Sequence, residues 1–202
     1  MIKRMTVGLV VVLGLALQAC SPKEQDECGF VQNVYGERIS WKGEVPVVMQ
    51  LHKNFPEEHV PAALAAAESW NKSLGRKIIE IKTERYSGPG EAQKDNQNII
   101  YYYGTWEADR PTEQARTSVY WIGDQIKETD IRVNDKNFNF YSTQAQKSEE
   151  VNIESLLIHE MGHVLGLKHK DQGSSVMATY LASNTARNQL AETDMSSLKC
   201  EY

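Results

Sequence analysis

The sequence predicts an α+β domain: a sheet with one helix packed on it, then a histidine-bearing helix and a short last helix. Two observations predict it. Strand-like and helix-like segments alternate from Val45 to Asn134, and the stretch from His159 to His169 gathers three of the chain's five histidines. Val45 to Leu51 reads as an apolar strand, and Pro46, which cannot donate to a ladder, puts its start near an edge or strand end. Pro61 to Leu74 is rich in alanine, the best helix former, with apolar residues at Leu64, Ala67, Trp70 and Leu74, and Gly75 stops it. Ile78 to Lys82 alternates as a strand does. Tyr86 to Asn98 collects Gly, Pro and Asn into a loop, and Ile99 to Tyr103 is strand again, with Tyr101, Tyr102 and Tyr103 as sheet residues. Thr117 to Ile122 and Thr129 to Asn134 form a hairpin around Gly123-Asp124. Asn152 is placed to cap the next helix and Glu154 falls in its positive first turn. Ile153, Leu156, Leu157, Met161, Val164 and Leu165 lie on or near one apolar stripe. Asp194 to Tyr202 ends the chain as a short helix, with Thr193 as candidate cap.

The histidine-bearing segment carries chemistry. On a helix His159 and His163 project from one face one turn apart, close enough to grip one ion together, with Glu160 beside them. A catalytic zinc site typically takes three protein ligands and leaves a fourth position to water, and His169 is the natural third. If the helix simply continued, His169 would lie roughly 15 Å from His159 along the axis. The chain must therefore turn, and Gly166 is the residue that takes φ > 0 without steric cost.

His159-Glu160-Met161-Gly162-His163-Val164-Leu165-Gly166-Leu167-Lys168-His169 spells H-E-x-x-H-x-x-G-x-x-H, and in this it resembles the metzincin zinc peptidases. Ser174-Ser175-Val176-Met177 resembles their Met-turn, with Met177 eight residues past His169. Together with a short last segment of the form L-x-x-x-D, this spelling most resembles the matrixins. The likeness is dense from Leu156 to Tyr202 and diffuse before it. Lys170 departs from the serine usual there in vertebrate matrixins. The resemblance implies a zincin-like fold with a mixed twisted sheet, one catalytic zinc on His159, His163 and His169, and Glu160 as general base. It also implies Met177 beneath the site, Tyr180 as a wall of the specificity pocket, and Thr117 to Ile122 as the edge strand above the cleft. No histidine lies between His59 and His159, so a second, structural zinc is not expected. Asp124, Asp130, Asn134 and Asp135 offer oxygens for a calcium ion, or are solvated turn residues.

The N-terminus bears on location. Lys3 and Arg4 precede an apolar run from Val7 to Leu17, too short for a confident span and shaped like a bacterial secretory signal over residues 1–19. Leu17-Gln18-Ala19-Cys20 resembles a lipobox, which implies cleavage before Cys20 and lipidation on it. Residues 20–30 then form a short tether and 31–202 the domain. The expected location is the outer membrane of a bacterial envelope, with a soluble secreted protein as the alternative. Once Cys20 is set aside, Cys28 and Cys200 are an even pair in an oxidising compartment, and a disulfide is expected.

Removing the leader, with Lys3 and Arg4 and no acids, takes the formal charge from -5 to -7. A mildly acidic surface has no patch for nucleic acid. The expected partners are a protein or peptide substrate and, through the lipid, a membrane; a monomer is expected. The expected activity is hydrolysis of peptide bonds in extended substrates. The other reading is a catalytically silent, zinc-stabilised lipoprotein that binds peptides or envelope proteins, and an intact Glu160 argues against it.

Overall fold

The computed structural model describes residues 25–145, 147–171 and 174–202. The leader and Cys20 lie outside the described residues. The fold takes in more of the N-terminus than a tether ending at residue 30. Phe30 is fully buried and bridges Leu167, and the Gln25 N–H reaches the Gly36 carbonyl at 3.0 Å.

A five-stranded mixed sheet organises the domain. Strands β1 (Val47–His52), β2 (Ile79–Tyr86), β3 (Ile99–Tyr103), β4 (Ala115–Ile122) and β5 (Gln125–Asn134) stand in the order β2-β1-β3-β5-β4. All neighbouring pairs are parallel except β4 with β5, so β4 is an antiparallel edge strand. Val47, Met49 and Leu51 are buried on β1, the alternation of a strand with one face on a core. Strand β2 runs four residues past the expected Lys82. Strand β5 starts at Gln125 rather than Thr129, directly after the two-residue turn Gly123-Asp124. The charged pair Lys127-Glu128 hides this stretch in the sequence, yet Glu128 is buried and accepts from the Asn96 N–H.

Helix α1 (Val60–Leu74) follows a 3-10 turn at Glu57–His59 and packs on the sheet. Gly75 ends it at φ 63°, donating to the Asn71 and Lys72 carbonyls. Its buried arc is Ala62, Ala63, Ala66, Ala67 and Trp70. Leu64, expected on the apolar face, falls outside that arc and is 46% exposed; small alanines, not leucine, set the close approach. A two-stranded parallel pair, β6 (Phe140–Tyr141) and β7 (Val151–Asn152), leads into helix α2 (Ile153–Val164). Asn152 caps α2 as expected, its Oδ1 accepting from the Ser155 N–H at 2.8 Å.

The apolar stripe expected on α2 is in fact a whole circumference. Every residue from Ile153 to Gly162 except Glu154 is buried, because sheet, α1 and the C-terminal segment enclose the helix. A buried helix end must have its carbonyls answered. Here Leu165 N–H takes Met161 O, Leu167 N–H takes Gly162 O, Gly166 N–H takes His163 O and the Trp41 indole takes Val164 O at 2.8 Å. The Tyr202 hydroxyl donates to Leu165 O at 2.7 Å. The last helix, α3 (Glu192–Lys199), starts earlier than Asp194. Thr193 is inside its first turn and is not the cap; the Asp194 carboxylate accepts from the Ala191 N–H at 2.9 Å and does that work.

Candidate active site

Gly166 is the hinge of the site. At φ 96° it turns the chain out of α2, and the segment beyond is then braced from the N-terminus. The Val31 N–H donates to Gly166 O and the Lys168 N–H to Gly29 O, both at 2.9 Å. This brace brings His169 back to the helix. His159, His163 and His169 each offer one nitrogen, and the three lie within 4.8 Å of one another. The disulfide between Cys28 and Cys200 ties down the same N-terminal segment, with Cα atoms 6.3 Å apart.

Backbone carbonyls set the tautomers. His159 Nδ1 is 2.8 Å from Val176 O and His163 Nδ1 is 2.7 Å from Leu167 O. A carbonyl only accepts, so each Nδ1 carries the hydrogen and each Nε2 presents a lone pair. Those two Nε2 atoms face each other at 3.2 Å. Acceptor against acceptor at that distance calls for a cation between them. Two nitrogens bound at tetrahedral zinc distances would stand about 3.3 Å apart, so the donor set fits that ion. Burial, then the neighbouring His163, push the His159 imidazole down to about 3, and burial also lowers His169. Neutral imidazoles are the ligating form.

Glu160 points from the same turn toward β4. The Thr117 hydroxyl lies 2.6 Å from its Oε2 and 3.2 Å from its carbonyl oxygen. Burial raises the carboxyl above the usual range, while His163 and the Thr117 hydrogen bond pull the other way. Thr117 is a residue the sequence placed on the edge strand without a role toward Glu160. Only the register of β4 against α2 reveals it.

Met177 is buried against the histidine-bearing helix, its sulfur so near Gly162 that no Cβ fits there. The turn is held from α3: Asp194 accepts from the Ser175 hydroxyl and from the Val176 N–H at 3.0 Å. The L-x-x-x-D spelling marked that aspartate, though not its contact. Tyr180 lines the cleft, with its side chain 76% exposed. The four candidate calcium ligands have separate surroundings. Asp124 pairs with Lys42, Asn134 bonds Glu113 O and the Asn137 N–H, Asp135 interacts with Tyr102, and Asp130 accepts from the Ile99 N–H. Among the described residues, the three histidines are the one His/Cys/Asp/Glu group gathered for a metal.

The cleft between β4 and α2 holds a cavity of about 640 Å³ that reaches from Thr117 and Val119 to the histidines. No curated protein matches the chain. The model of the matrixin family of peptidases matches residues 27–202. That span takes in the histidine cluster, the turn under it and both disulfide cysteines, and the chain belongs to the matrixin family of zinc metallopeptidases.

Proposed function

We propose that the chain is a zinc-dependent endopeptidase that cuts extended protein or peptide substrates, with His159, His163 and His169 as ligands and Glu160 as general base. The observation that carries it is the pair of Nε2 lone pairs facing each other at 3.2 Å beside a buried carboxylate. Zinc bound there would supply Lewis acidity, lowering the pKa of water toward roughly 7 and polarising the scissile carbonyl. The Thr117 hydroxyl holds Oε2 of Glu160, which leaves the other oxygen to take the proton of the attacking water. A carboxyl raised by burial keeps that proton long enough to pass it to the leaving amine, acting as base and then acid. Strand β4 pairs on one side with β5, and its other edge suits backbone pairing with an extended substrate.

The lipobox-like Leu17-Gln18-Ala19-Cys20 supports export and lipid attachment at Cys20, tethering the domain at the outer membrane of a bacterial envelope. Among the described residues no helix is long and apolar enough to cross a membrane. Mass spectrometry of new termini in a peptide mixture tests the activity. Glu160→Ala should keep zinc and fold but lose turnover, and His163→Ala should lose both. Turnover retained in Glu160→Ala would refute the mechanism, and labelling with a fatty-acid probe that survives Cys20→Ser would refute the anchor.

A further inference from the structure

Arg187 stands in the wall of the cavity beside the histidines, together with Leu156, Ala115 and the segment Ala178, Tyr180 and Leu181. Its backbone is pinned: the Arg187 N–H donates to Ser155 Oγ at 2.7 Å, and Ser155 Oγ donates to the helix cap Asn152 at 2.8 Å. The side chain crosses back over the loop, with Nη1 on Tyr180 O and Nη2 on Ala178 O, both at 3.0 Å. Its Nε is buried with no protein partner among the described residues.

No carboxylate is in ion-pair contact with this guanidinium among the described residues. Two acids act on it, Asp194 and Asp171, and they do so through space. Asp194 is engaged by Ser175, Val176 and Ala191, and Asp171 by Thr179. Burial pulls the Arg187 pKa down, yet a guanidinium stays charged in proteins. The wall of the cavity therefore carries a partly desolvated positive charge, and only two of its five N–H donors, one on each Nη, are bonded to carbonyls. A carboxylate brought into that cavity would gain a charge-assisted hydrogen bond and a counter-ion together.

We infer that Arg187 is a specificity-determining residue that selects substrates with an acidic side chain at the position lodging in this cavity. This rests on the peptidase reading, and the test separates the two. The zinc-loaded protein is given a peptide mixture for mapping of cleavage sites. The Glu160→Ala protein is titrated in parallel with two pentapeptides that differ only in a central glutamate or glutamine. Wild-type cleavage sites should be enriched in Asp and Glu at one flanking position, and the glutamate peptide should bind about tenfold tighter than its glutamine twin. Adding Arg187→Gln should bring that ratio to about one, whereas Arg187→Lys, which keeps the charge, should hold it clearly above one. A brace for the loop and nothing more would leave the two peptides equal from the start. Equal binding of the pair to the protein carrying Arg187, or an unchanged ratio in Arg187→Gln, overturns the inference. If the wild type cuts nothing, the peptidase reading fails while the binding ratio still decides Arg187.

Discussion

Gly166→Ala should do more damage than any ordinary helix-end substitution, and the structure says by how much. An L residue at φ 96° is strained by roughly 1–3 kcal/mol. A Cβ there would also sit 2.2 Å from the Ile39 carbonyl oxygen and 3.2 Å from Phe30 Cδ1. The carbonyl belongs to backbone, so relief requires the chain around Ile39 or the 166–168 segment to move by about 1 Å, which adds roughly 1–3 kcal/mol. We expect about 4 kcal/mol in total. Gly75 provides the control, because its φ of 63° lies in the left-handed region that a side chain tolerates at modest cost, while a Cβ there meets nothing within 4 Å. Gly75→Ala should cost about 1 kcal/mol. The difference of about 3 kcal/mol combines the clash with the greater strain of φ 96°, and it falls on the segment that delivers His169. Metal ligands tolerate only about 0.2 Å of misplacement. Zinc affinity should thus fall in Gly166→Ala and stay put in Gly75→Ala. Urea unfolding gives the stabilities and competition against a chelator gives the affinities. Equal destabilisation of the two variants, with zinc affinity unchanged in both, would refute the reasoning.

Asp130 makes stability depend on pH in an unusual direction. It is fully buried, its Oδ2 has no hydrogen-bond partner among the described residues, and burial, then the charges of Glu128 and Asp95, push its carboxyl up to about 7 against the Ile99 N–H. The folded state therefore holds the proton more tightly than the unfolded chain. Stability from this group is full below about pH 4 and is lost as pH rises through 7. Asp130→Asn, which keeps an acceptor for Ile99, should match the wild type near pH 4 and exceed it at pH 8 by at most about 4 kcal/mol in calcium-free buffer. Urea midpoints at the two pH values check this, and a variant weaker than wild type at pH 8 would contradict it. Removing the disulfide by Cys28→Ser with Cys200→Ser opens a loop of sequence separation 172, for which chain entropy sets a ceiling of about 5 kcal/mol. Thermal unfolding with and without reductant should show the reductant's effect vanish in the double variant.

The metal-site residues were legible in the sequence because their signals are local. Four-residue spacing decides that His159 and His163 share a helix face, and a glycine between them and His169 decides where the helix stops. The cap at Asn152, the stop at Gly75 and the strand Ile99–Tyr103 are local in the same sense. Contacts between distant segments left no such trace. Leu64 reads as core until the alanine arc shows which side of α1 faces inward, and the stripe on α2 reads as one-sided until three elements close around it. The grip of Asp194 on the Met-turn spans 18 positions, the hydroxyl of Thr117 on Glu160 spans 43, and the brace of residues 29–31 on 166–168 joins segments from opposite ends of the domain.

By itself the sequence determined which side chains could do the chemistry, since residue type and short spacing are properties of the chain alone. The tertiary structure decided which nitrogen of each imidazole is free, what raises the carboxyl of Glu160, and that Arg187 lines the cleft with no carboxylate in ion-pair contact among the described residues. Those depend on burial and on hydrogen bonds from remote backbone, and both come into being only when the chain packs.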